Sequence, residues 1–161
     1  MTAISRPDSS GNLRDAVMRG IDLFFWALQV LTGLFFFVFG ANKFDSGSVF
    51  WTSIFGKAGA HFWIEVFARI GIGQWFRYFT GGLEMLCGLL LFVPRTAGTA
   101  AALLACTMVG AILTHLVVLH DGNALLMECV VLLAINCGIA AWRLPGMFRR
   151  KKLTALAAPN R

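Results

Sequence analysis

Four apolar runs, at about residues 21–41, 76–93, 96–119 and 124–142, each come close to the roughly 20 residues that a helix needs to cross a bilayer. No other feature constrains the chain as tightly. Hydrocarbon offers no partner for a backbone N–H or C=O, so a spanning segment must satisfy its own, and a helix does so. Composition agrees: 58% of the residues are hydrophobic and 14% charged, and the mean hydropathy of +0.73 lies well above that of a soluble domain. The predicted fold is all-α, an integral membrane antiparallel four-helix bundle spanning 21–142. It is flanked by a polar N-terminal tail (1–20) and a basic C-terminal tail (143–161). The first run is longer than the core of a signal peptide and no clear small-residue cleavage site follows it, so it reads as a retained helix.

The connections support this order. Pro94-Arg95 makes a tight turn between the second and third runs, and His120-Asp121-Gly122-Asn123 makes another between the third and fourth, giving an up-down-up unit. Residues 44–75 differ in character, with Trp51, Phe55, Phe62, Trp63, Phe67 and Trp75 among glycines, Lys57, Glu65 and Arg69. Tryptophan favours the headgroup level, so this outer loop reads as interfacial, with a short helix around His61–Ile70; a re-entrant segment is the alternative. With both termini inside, ten Lys and Arg face the cytoplasm against four outside, which places both ends in the cytoplasm of a bacterial inner membrane. The net charge of +6 follows the same distribution, so the basic run Arg149–Lys152 points to anionic lipid rather than nucleic acid.

Several chemistries have no counterpart in the sequence. No phosphate-cradling glycine loop, GxSxG elbow or zinc-spaced Cys/His set occurs, so no metal is expected. Cys87, Cys106, Cys129 and Cys137 all fall in apolar runs without a CxxC pair; packing is their expected role, although Cys87 and Cys129 could approach on neighbouring helices. No internal repeat supports an inverted-repeat transporter, and a small-solute or proton transporter would need the chain to form a homo-oligomer.

What remains is a set of polar residues inside apolar runs. At about 1.5 Å per residue, Glu84 lies roughly 12 Å from the outer end of its helix, His115 roughly 7 Å and Glu128 roughly 9 Å. Asn42-Lys43 closes the first run at the same outer end, and Arg77 begins the second. Arg77, Gly81, Glu84 and Gly88 share one helical face, and Gln29, Gly33, Phe36, Gly40 and Lys43 share another, so small residues let a second helix approach beside the carboxylate. A polar pocket in the outer half of the bundle is expected, with Glu84 and His115 handling protons and Lys43, Arg77, Glu128, Asn42, Gly40 and Gly81 forming the ligand or polar network. The alternative is structural: Glu84 paired with Arg77 or Lys43, and His115 with Glu128, would fix helix register and do nothing else.

Gly40-x-x-Lys43, the segment Gln74-Trp-Phe-Arg-Tyr-Phe-Thr-Gly-Gly-Leu-Glu84, Pro94-Arg95-Thr-Ala-Gly and Ala111-Ile-Leu-Thr-His115 together resemble the DoxX-like family of small bacterial four-helix membrane proteins. The resemblance spans about residues 21–142. It implies a redox-linked membrane component, associated with quinone or thiol oxidation, with quinone as the implied cofactor and a redox or other membrane protein as partner alongside the bilayer. A membrane scaffold or assembly partner is the rival reading, and whether any reaction is catalysed stays open.

Overall fold

The computed structural model describes residues 9–44, 57–120 and 123–157, with side chains over 13–44, 62–120 and 124–145. Five α-helices lie among the described residues: α1 (Ser9–Asn42), α2 (Lys57–Ile70), α3 (Gln74–Leu91), α4 (Ala97–Thr114) and α5 (Asn123–Ala157). One π-helical turn, His115–Leu119, continues α4 and ends where His120 adopts the left-handed region (φ 49°). The outermost helices extend beyond their apolar runs. α1 starts at Ser9, inside the polar lead-in, and α5 runs through Pro145 to Ala157, so part of the basic tail is helical.

Among the described residues, three helical stretches are long and apolar enough to cross a membrane: Leu13–Asn42, Ala97–Leu119 and Ala124–Pro145. α3 is not among them. It has 18 residues, and Gln74, Arg77 and Glu84 offset its leucines, so the second of the four expected spans does not qualify by apolarity alone. Large apolar side chains such as Leu23, Phe24, Val117 and Leu113 project from the molecule's surface, as side chains in contact with lipid would.

α1 pairs closely with α3, and α4 with α5; α3 and α4 join the two pairs. The α1–α3 seam is built from glycine. A Cβ placed on Gly40 would lie 2.6 Å from the Gly81 carbonyl oxygen, and one on Gly88 would lie 2.8 Å from the Gly33 carbonyl oxygen. Gly33 and Gly40 are two turns apart, as are Gly81 and Gly88, so the backbones touch twice in antiparallel register. The second pair uses alanine for the same purpose: Ala97, Ala100, Ala101 and Leu104 are fully buried on one face of α4, against Ile139 of α5.

Tight local chemistry sets the connections. Thr96 Oγ1 donates to the Leu90 carbonyl (2.8 Å), closing the Pro94-Arg95 turn over the end of α3. Between α2 and α3, Gly71 (φ 78°) and Gly73 (φ 100°) take backbone conformations that L side chains disfavour, which sharpens the reversal. α2 then lies across one end of the bundle, where Val66 and Phe67 pack with Leu119 and Phe76, and Gln74 Nε2 donates to the Ile64 carbonyl (3.0 Å). The aromatic stretch before it, including Trp51 and Phe55, lies outside the described residues, as do the side chain of His61, the Asp121-Gly122 turn and the side chains of Arg149–Lys152.

Candidate functional site

The α2 end collects the polar residues that the sequence marks. Lys43 closes α1, and its Nζ donates to both carboxylate oxygens of Glu84 at 2.6 Å. Both side chains are almost wholly buried, 6% and 3% exposed, so this is an ion pair inside the protein and not a surface contact. Trp63 of α2 covers its other side, with Nζ 4.8 Å from the ring centroid. Of the two expected partners for Glu84, Lys43 takes the carboxylate. The guanidinium of Arg77 donates to the Lys43 carbonyl at the end of α1, to Gln74 Oε1 (2.8 Å) and to the Tyr78 hydroxyl (2.8 Å), so it closes the C-terminus of α1. Asn42 is buried beside Lys43, and its Oδ1 lacks a hydrogen-bond partner among the described residues. Gly40 and Gly81 are the seam contact nearest the pair, so the backbone approach and the ion pair belong to one piece of packing.

Next to the pair is a cavity of about 500 Å³. Its walls come from all five helices and are mostly aromatic and aliphatic, including Phe36, Phe39, Phe79 and Met108; Lys43, Glu84, Thr107, His115 and Glu128 are its polar edges. The expected polar pocket is thus an apolar chamber with a few polar groups, because the neighbouring ion pair satisfies itself. His115, the first residue of the π-helical turn, is half-buried on this wall and makes an interaction of its own. Glu128 faces the same space from α5. Cys106 and Cys129 also line it, and Cys87 is buried in the core; no disulfide joins the four cysteines, so the conceivable Cys87–Cys129 bridge is not formed.

The opposite end holds a second polar cluster that sequence reasoning missed. Gln29, fully buried, donates through Nε2 to the last carbonyl of α3, Leu91, while its Oε1 accepts from Arg143 Nε (2.9 Å). Asp22 accepts from Trp142 Nε1 (3.0 Å) and lies 3.7 Å from Arg143, and Phe25 stacks on Trp142 with centroids 4.9 Å apart. α1, α3 and α5 are thereby tied at that end. The available signal was the opposite charge of Asp22 and Arg143 at equal predicted depth, hidden because Arg143 read as the first residue of the basic tail. Arg143→Met should lower thermal stability by about 1 kcal/mol, the scale of one such hydrogen bond, as read by melting in detergent.

Described residues that form helices and no strand, three membrane-length apolar helices among them, a lipid-suited surface and a buried ion pair beside an apolar chamber define a class, the small helical membrane protein. The particular family follows from comparison with known proteins: the DoxX-like family matches residues 27–138, and the chain belongs to it. No curated protein and no solved structure matches it.

Proposed function

We propose that this chain is a redox-linked component of the bacterial inner membrane that binds a small amphipathic, quinone-like molecule in the chamber beneath α2. The observation that carries this reading is the chamber itself: about 500 Å³, apolar over most of its wall, with polar groups at few positions, which is how sites for small organic ligands are built. α1, α3, α4 and α5 serve as the spans, with both termini cytoplasmic and the chamber in the outer half. α3 crosses because α1 neutralises Glu84 and α3's own Gln74 and Tyr78 help to satisfy Arg77. His115 is the proton-handling residue at the wall, whereas Glu84, held by Lys43, sets the shape and local field.

Ala111 lines the chamber from α4, away from the ion pair. Ala111→Phe should fill it and weaken binding of a short-tailed quinone analogue by about tenfold or more while the melting temperature stays close to that of the wild type. Unchanged affinity in a folded variant would remove the reading.

A scaffold role is favoured by one observation: the Lys43–Glu84 pair is already closed and sits beside the Gly40–Gly81 contact, as a device for fixing helix register would. Under that reading the purified protein retains no small molecule, and mass spectrometry of extracts from wild type and Ala111→Phe gives the same lipids.

A further inference from the structure

Among the described residues, most hydrogen-bond donors on the chamber wall are already committed, and the indole N–H of Trp63 is an exception. Lys43 directs its Nζ at both oxygens of Glu84, and Trp63 screens another side of the ammonium. The three threonines on the wall have committed their hydroxyl protons to their own helices: Thr80 to the Arg77 carbonyl (3.1 Å), Thr107 to Leu103 (3.0 Å) and Thr114 to Gly110 (2.9 Å). Thiols on the wall are weak donors.

Acceptors are in the opposite condition. Glu128 is half-buried on the wall and, among the described residues, has no hydrogen-bond or ionic partner. An ionised carboxylate accepts at both oxygens and donates at neither, and each threonine hydroxyl keeps lone pairs after donating. Around Glu128 the charged and titratable groups of the wall are Lys43 and Glu84, which pair with each other, His115, Cys106 and Cys129, and among the described residues none of them is paired with Glu128. A ligand that can only accept finds the Trp63 N–H, which the oxygen of a hydroxyl can use as well, but it offers nothing to the carboxylate. A ligand that donates satisfies a half-buried acceptor that would otherwise be poorly solvated.

We infer that the chamber selects molecules whose apolar body carries a hydroxyl donor, the phenol and hydroquinone class, and that Glu128 is the residue that selects them. The inference rests on the chamber being a ligand site and deepens that reading: of the two redox forms of a quinone-like molecule, the reduced one is preferred. Carboxylate recognition of a hydroxyl supplies selectivity because the analogue without the proton leaves the acceptor unpaired. Glu128 is a binding and specificity residue, and no chemical step is assigned to it.

The test uses the full chain purified in detergent near neutral pH. Three probes are titrated: a short-tailed alkylhydroquinone, the matching alkylquinone and the hydroquinone dimethyl ether, which keeps the shape and lacks both donors. The expected result is that the hydroquinone binds about tenfold to a hundredfold more tightly than the ether or the quinone, the range for a hydrogen bond to a charged group. In Glu128→Met that advantage disappears while the ether binds as before. Because Glu128 has no partner among the described residues, the substitution should leave the fold intact, and an unchanged melting curve checks this.

Equal affinity for the three probes in the wild type, or a preference that survives Glu128→Met, overturns the inference and leaves the chamber as a ligand site. Absence of binding by any probe overturns both.

Discussion

Glu84→Gln is expected to destabilise the protein by about 3–5 kcal/mol, because it leaves the Lys43 ammonium buried without its counter-charge. Lys43→Met should cost a similar amount by stranding the carboxylate. The informative variant is the double one, Lys43→Met with Glu84→Leu. Taking out both charges together avoids the stranded ion, and replacing a buried pair by apolar groups of similar volume is often neutral or stabilising. The double variant should therefore regain most of the loss. The measurement is a double-mutant cycle of thermal unfolding in one detergent, and additive losses in the double variant would show that the two residues act independently. The same set separates stability from binding: a double variant that folds and still prefers a donor ligand places recognition on Glu128 and not on the pair.

Gly40→Leu is expected to have the other large effect. Any Cβ at this position meets the Gly81 carbonyl oxygen at 2.6 Å and the Met85 amide nitrogen at 3.0 Å, and these obstacles are backbone, which cannot rotate away. α1 and α3 must separate. Separation draws Lys43 from Glu84 and lengthens the reach of the Arg77 guanidinium to the Lys43 carbonyl. We expect a loss of at least about 3 kcal/mol, above the usual range for an overpacked core, since an ion pair loosens with the seam. Gly82→Leu is the control: a Cβ there meets only Phe44 at 3.7 Å, ordinary contact, and should be tolerated. Matching losses at Gly40 and Gly82 would mean that backbone approach is not what the glycine at 40 provides.

These two results bear on how a polar helix is held in an apolar protein. α3 contains Arg77 and Glu84 one face apart from its leucines, and α1 presents Lys43 and its own last carbonyl to meet them. Glycine brings the two backbones close enough for short side-chain reaches to close. The ion pair and the seam are thus mutually dependent, with each held in place by the other.

Much of this was legible in order along the chain. The stripe Arg77, Gly81, Glu84, Gly88 follows from helical periodicity, and the glycines on it do face those of α1. The short helix expected near His61–Ile70 is α2, and the turn at Pro94-Arg95 is where the sequence puts it. Other features were not legible for a physical reason. Arg77 and Lys43 are both cations near Glu84 in any helical wheel, and only the relative rotation and separation of two helices determine which one reaches the carboxylate. The chamber was expected to be polar because polar residues converge on it; their mutual satisfaction leaves its wall mainly apolar. Asp22, Gln29, Trp142 and Arg143 meet across α1 and α5, and no local pattern joins residues more than a hundred positions apart.

Membrane character and helical secondary structure were determined by sequence alone, since burial in lipid depends on the sum of apolar surface in a run, and the backbone's need for internal hydrogen bonds does the rest. Partner choice at Lys43, the space under α2 and the place of Glu128 on its wall arose only when the helices packed. Ion pairing falls off over a few ångströms, and a cavity is defined by atoms from several helices at once, so neither exists until distances between segments are set.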